Sequence, residues 1–216
     1  DGVVLDAIGG PLTEVVNPAN FTNLGAGIGQ FVWSPTCTEV RETPYQVVVR
    51  AEDNSGQVQL MDLESFQIKV IAPGVLMGGA TPVGNSIIVD WNSNECVSEL
   101  PAWKVNQGTY HVYRKIDSLE WSPEYCETGV PEYTGYEWVH SVQGLNVTEW
   151  IDTSTLSYGA TYCYRIVTEW PGSGESLASD EVCATIRKDI PVMTKASVAE
   201  TAEAGAVDVA WSPPTD

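Results

Sequence analysis

A chain of 216 residues carries ten Lys and Arg against 29 Asp and Glu, a formal net charge of −19 that repels phosphate backbones and anionic lipid surfaces alike and excludes nucleic acid as a partner. The length suits two small domains with their own cores, and 13 Pro and 19 Gly among 43% hydrophobic residues suit many short strands rather than helices. No apolar run reaches the ~18 residues that cross a bilayer, so no membrane insertion is expected. The start, Asp1-Gly2-Val3-Val4-Leu5-Asp6, has neither the basic flank nor the apolar block of a signal peptide, so the signal of an exported chain would lie upstream of Asp1.

Residues 1–74 form a first unit, with strands predicted at 3–7, 31–33, 44–51 and 65–71. Turns fall at Gly9-Gly10, at 25–29 and at Asp53-Asn54-Ser55-Gly56. Around the last turn, Glu52, Asp53, Asn54 and Asp62 offer the oxygen ligands that calcium takes. The plainer reading of the same residues is a solvated acidic turn.

A short apolar connector, residues 75–80, limits bending between this unit and a second at 79–188. Strands are predicted at 86–91, 109–115, 136–142 and 148–152, then in a hairpin from Leu156 to Ala184 that turns at Pro171-Gly172-Ser173-Gly174. Tyr162, Tyr164 and Ile166 alternate with Cys163, Arg165 and Val167, the period of a strand lying on a core. Trp91 ends an alternating strand and reads as a core residue. Two insertions, 92–108 and 117–135, hold Trp103, Trp121 and Tyr125. With Trp170, these aromatics either stack on sugar rings or form a minor core beneath the insertions.

His111 and His140 stand mid-strand with no acid at a recognisable spacing, so no nucleophilic catalysis is expected. Gly172-Ser173-Gly174-Glu175-Ser176 lacks the lysine of a phosphate loop and reads as a turn. Asn20-Phe21-Thr22 and Asn146-Val147-Thr148 fit the short N-glycan acceptor pattern. At 189–216 the pattern restarts: Pro191 and residues 206–211, ending in Trp211, repeat Pro82 and residues 86–91, so a further sandwich begins here and its later strands are missing.

None of the five cysteines forms a Cys-x-x-Cys pair, which argues against zinc and for an oxidising compartment. Cys163 and Cys183, on the two arms of one hairpin, can face each other; Cys96 and Cys126 would then tie the insertions together. Four cysteines allow three pairings, and the sequence leaves them open. Cys37 is left with either an upstream partner or a buried free thiol.

Leu156 six residues before Tyr162 resembles the tyrosine corner of a fibronectin type III sandwich, and Trp91 resembles its core tryptophan. Residues 29–35, 45–53 and 66–70 resemble the cadherin-like, Ig-like repeats of bacterial surface proteins, in which at least one further strand precedes residues 3–7. That resemblance implies that residue 1 falls inside a longer polypeptide. Over residues 25–216, including Thr81-Pro82-Val83-Gly84-Asn85, Tyr110-His111-Val112-Tyr113-Arg114, Cys126-Glu127-Thr128-Gly129-Val130 and Asp180-Glu181-Val182-Cys183, the chain resembles the large multi-domain surface proteins of Bacteroidota, gliding-motility-associated and exported by the type 9 secretion system. The resemblance implies tandem all-β Ig-like sandwiches in a non-catalytic spacer or adhesive segment at the cell surface. Its partners would be other domains of the same polypeptide, secretion or outer-membrane surface proteins, and glycans. Asp117-Ser118-Leu119 resembles the O-glycan acceptor of such envelope proteins, which makes Ser118 a modification candidate. A glycan- or calcium-binding module, and accessory domains of an exported hydrolase, are the alternative readings.

Overall fold

The computed structural model describes residues 2–53, 60–172, 174–187, 192–201 and 204–212. The fold is all-β and built from antiparallel sheets. In chain order come β1 (Val3–Gly9), β2 (Asn20–Gly25), β3 (Ile28–Val32), β4 (Tyr45–Asp53) and β5 (Met61–Ile68). β4 is central, between β1 and β5, while β2 and β3 pair as a hairpin beside β1. Phe31 of the hairpin meets Phe66 of β5 edge-on at 5.6 Å. β2 falls outside the predicted strands for a physical reason: of its six residues only Phe21 is turned partly inward, so no alternation marks it.

The second body holds β6 (Met77–Val83), β7 (Ser86–Trp91), β8 (Thr109–Ile116), β9 (Glu137–Gln143), β10 (Glu149–Asp152), β11 (Thr161–Trp170), β12 (Gly174–Glu175) and β13 (Val182–Thr185). One sheet runs β10-β7-β6; the other runs β12-β11-β8-β9, with β13 also on β11. Their inner faces meet over Ile87, Val89, Trp91, Tyr110, Val112, Tyr164, Ile166 and Trp170, all in one buried cluster. Burial of such side chains is the main stabilising term, about 1.5–3 kcal/mol for each large apolar group. β6 starts at Met77, inside the stretch expected to be connector. A separate hairpin, β14 (Val192–Glu200) with β15 (Ala206–Ser212), places Met193 opposite Trp211.

The arm returning along β11 is broken. β12 covers Glu169 and Trp170, β13 covers residues 161–164, and between them the serines of Ser176-Leu177-Ala178-Ser179 take over the ladder. Ser176 Oγ accepts the Thr168 N–H at 2.9 Å and Ser179 Oγ accepts the Ile166 N–H at 2.8 Å. Both serines are buried because the backbone donors of a buried strand need acceptors there.

The tyrosine corner is formed. Tyr162 and Leu156 are buried, and the Tyr162 hydroxyl accepts the Ser157 N–H at 2.9 Å. Tyr162→Phe removes that acceptor while keeping the ring. We expect a loss of about 1–2 kcal/mol, read as a lower urea midpoint at unchanged slope. An unchanged midpoint would mean that the corner bond is replaced by solvent.

Candidate functional site

Two places gather chemistry that the local folding explains: the junction between the first sheet and the second body, and the outward face of β9, β8 and β11.

At the junction, Thr36 caps a short turn, Cys37–Glu39. Thr36 Oγ1 accepts from the Thr38 N–H, and the Glu39 carboxylate reaches back to the Thr36 N–H at 2.6 Å. Asn94 caps the facing turn, Glu95–Glu99, by accepting the Cys96 N–H at 3.0 Å. These turns bring Cys37 and Cys96 to a Cα separation of 5.2 Å, and the two are bonded. The Cys37 N–H donates to Glu99 across the same contact at 3.0 Å.

The connector beside the bridge is packed, with Val70, Ala72 and Val75 in the cluster that holds Trp91, Leu100 and Trp170. The Leu177 N–H donates to the Ala72 carbonyl, and the Asn94 amide donates to the Pro73 carbonyl. A Cβ at Gly74 would stand 2.7 Å from the Ala178 carbonyl oxygen, so only glycine lets the connector lie this close. Tyr45, sandwiched between Trp33 and the Arg41 guanidinium, closes the other side and donates its hydroxyl to the Glu39 carbonyl.

The cysteine pairing therefore corrects the expectation for Cys96. Its partner is Cys37, from the first unit, and Cys126 is a free, exposed thiol. The turn carrying Cys96 packs against the turn carrying Cys37 in the first unit, which sequence spacing cannot reveal. Cys163 stands opposite Cys183 in the β11–β13 register and is bonded to it. Two bridges imply an oxidising environment, the extracellular condition in which disulfides persist.

On the outward sheet face, Arg165 of β11 is almost fully buried, with the Trp121 ring over its guanidinium at 4.9 Å and the Tyr136 ring at 5.7 Å. It donates to the Trp121 and Ser179 carbonyls, which straps the second insertion to the sheet. Glu181 holds the other side of the strap by accepting from Ser118, the Leu119 N–H and the Tyr136 hydroxyl. Burial tends to raise the Glu181 pKa, but these donors and Arg165 outweigh it and hold the group below the ordinary carboxylate range. Burial and the Glu181 bond push the Tyr136 phenol up.

The aromatics named from sequence do not form one site. Trp170 is 2% exposed and belongs to the core, because it lies on the inner face of β11; as a sugar platform it is excluded. Trp121 spends one ring face on Arg165 and donates its indole N–H to Tyr133. Tyr125 is 99% exposed, beside Cys126 in an open depression of about 810 Å³. Trp103 is exposed on a short helix, α1 (Ala102–Gln107), in the other insertion. Exposed Tyr133 and Trp138 escaped the sequence reading.

The acidic residues of the first unit also separate. Glu52 pairs with Met61 and Asp62 with Ala51, so Glu52 and Asp62 stand on opposite faces of the sheet, and Glu52 lies 3.9 Å from Arg50. Asp53 stands on the same face as Asp62, and Asn54 lies outside the described residues. Among the described residues, the grouping of potential metal ligands that is close enough to share an ion is Cys163, Glu181 and Cys183, whose two sulfurs are bonded to each other.

His111, by contrast, has an acid after all. Its Nε2 lies 2.7 Å from Glu169 Oε2 and its Nδ1 lies 2.8 Å from Ser141 Oγ, across three neighbouring strands. The partners are 30 and 58 residues away in sequence, so no local spacing announces them.

No protein-family model matches the chain, and no curated protein matches it. Among solved structures it is similar to a β-1,2-glucanase from Parabacteroides distasonis, at 15% identity and TM-score 0.37 over 68% of this chain and 18% of that one. It is also similar to the FN1–FN3 domains of chicken CNTN1, at 12% identity and TM-score 0.37 over 100% of this chain and 67% of that one. The chain thus spans under a fifth of the glucanase's length. Such likeness concerns strand arrangement and carries nothing about ligand or activity.

Proposed function

We propose that this chain is a non-catalytic spacing segment of an exported bacterial cell-surface protein, holding neighbouring domains of the same polypeptide in a fixed orientation. The supporting observation is the junction: a disulfide, Cys37–Cys96, over a connector whose residues sit in the core of the second body. Relative domain motion is the default where such contacts are small and polar. Here the contact is covalent, apolar and hydrogen-bonded at the backbone. The surface location follows the sequence resemblance and agrees with the bridges, which need an oxidising compartment.

The test is 15N relaxation on the intact chain under non-reducing conditions. Amides of β4 and β11 should report one common rotational correlation time. Two separate tumbling times would overturn the spacer reading, because a freely hinged segment sets no orientation.

A further inference from the structure

We propose that Glu181 is an electrostatic guard on the Cys163–Cys183 bridge: small thiols open the bridge by attacking Cys183, and the Glu181 carboxylate turns away those that bring further negative charge. This goes beyond the spacing role and does not depend on it.

The two ends of this bridge differ. Cys163, on β11, is 0% exposed, whereas Cys183, directly opposite on β13, is exposed. The junction bridge has no such open end, since Cys96 is 1% exposed and Cys37 is half-buried. Thiol exchange needs access to a bonded sulfur, so Cys183 is where a dissolved thiol reaches the oxidised chain first. The thiolate forms a bond to Cys183 Sγ, the bond to Cys163 Sγ breaks, and its electron pair leaves on Cys163, which takes a proton from water. A second thiolate attacks the reagent's sulfur in the mixed disulfide. That step releases Cys183 as a thiolate, which also takes a proton from water, and the reagent as its own disulfide.

Glu181 stands at this point of entry. Its Oε2 lies 3.5 Å from Cys183 Sγ. Ser118 Oγ, the Leu119 N–H and the Tyr136 hydroxyl all donate to the carboxylate, which fixes it there and favours its ionised form. The cations on this face leave it without a direct counter-charge. Arg165 has two nitrogens committed to the Ser179 and Trp121 carbonyls, and Lys115 stands opposite Cys163 on β8. Among the described residues, neither forms an ion pair with Glu181. An attacking thiolate is itself an anion, so Glu181 repels it, and a thiol carrying a second negative group is repelled more. One unit charge at ~4 Å in a water-like dielectric changes such an encounter about fivefold. The chain itself holds a thiol of the class turned away: Cys126 is exposed and free, in a depression shared with Glu124 and Glu127. Attack by Cys126 of one copy on Cys183 of another would convert an internal bridge into an intermolecular one, and the guard opposes it.

The test exposes the oxidised full chain, in mildly alkaline buffer, to cysteamine, 2-mercaptoethanol or 2-mercaptoethanesulfonate, whose thiolates carry increasing net negative charge. Acid quenching, alkylation and peptide mass spectrometry return the opening rate of each bridge and the cysteine that bears the adduct. Cys163–Cys183 should open at least about tenfold faster than Cys37–Cys96, with the adduct on Cys183. Each thiol's own reactivity cancels in the ratio of Glu181→Gln to parent. That ratio should be near one for cysteamine, about five for mercaptoethanol and larger for mercaptoethanesulfonate. Ser118→Ala loosens the same hydrogen-bonded strap but keeps the charge, so it should leave the parent's discrimination among thiols unchanged. A Glu181→Gln ratio equal for all the thiols, the same loss of discrimination in Ser118→Ala, an adduct on Cys163, or earlier opening of Cys37–Cys96 would each overturn the assignment.

Discussion

Replacing Cys37 and Cys96 together with serine is expected to lower the stability of the oxidised chain by about 4 kcal/mol, the loop-closure value for a bridge of this span. The cysteines are 59 residues apart in sequence, against 20 for Cys163 and Cys183, so on the same reasoning the junction bridge contributes more. The apolar junction remains in the double variant, with Val70, Ala72 and Val75 still offered to the common cluster. Unfolding should therefore stay cooperative but begin earlier, by about 10 °C for a chain of this size. Calorimetry of parent and variant in non-reducing buffer measures the difference. Equal melting temperatures would mean that the packed connector alone fixes the junction and that the bridge is incidental.

Asp152→Ala should cost about 3 kcal/mol, because it leaves Arg114 beside the core without its counter-charge. Asp152 is 1% exposed; its Oδ2 accepts from Arg114 at 2.7 Å and from the Tyr164 hydroxyl at 2.9 Å, and its Oδ1 accepts the Ser154 N–H at 3.0 Å. Burial alone would raise the Asp152 pKa, but the bonds from Ser154, Arg114 and Tyr164 outweigh it and hold the carboxyl below its ordinary range. Glu39 and Glu181 are shifted the same way. A carboxyl that is more acidic when folded binds fewer protons than in the unfolded chain. Its stabilisation is complete above the unfolded pKa, near 4, and is lost as pH falls through the folded value. Urea midpoints should hold steady from neutral pH to about 5 and then fall, less steeply in Asp152→Ala. A decline that begins near pH 6 would assign the transition to histidine instead.

The sandwich of the second body was legible because its strands alternate. Residues 86–91 coincide with β7, and Tyr162 turned inward as its spacing implied. Where a strand lies on the surface, as β2 does, or depends on serine side chains, as around Ser176 and Ser179, alternation is missing and the sequence is mute. The Cys37–Cys96 pairing was hidden for another reason: it depends on how two turns face across a junction, not on any periodicity. The shared outward turn of Trp138 and Ser141 was hidden by a bulge in the β8–β9 register, since period-two reading puts them on opposite sides. For Trp170 the structure decides between the two readings left open, sugar platform and core, in favour of core. An aromatic at the end of a hairpin arm looks available, but inward alternation along β11 carries it into the core.

A chain drawn out between its two ends transmits load along covalent bonds, and the Cys37–Cys96 bridge shortens that route. Tension passes from β3 through the bridge to the segment before β8, so β4, β5, β6 and β7 lie in a closed loop off the line of force. At ~3.6 Å per residue the enclosed span is worth about 210 Å of extension, which stays stored until the bond is reduced. The oxidised segment thus has a shorter full extension than the reduced one, and a thiol reductant sets which of the two lengths applies.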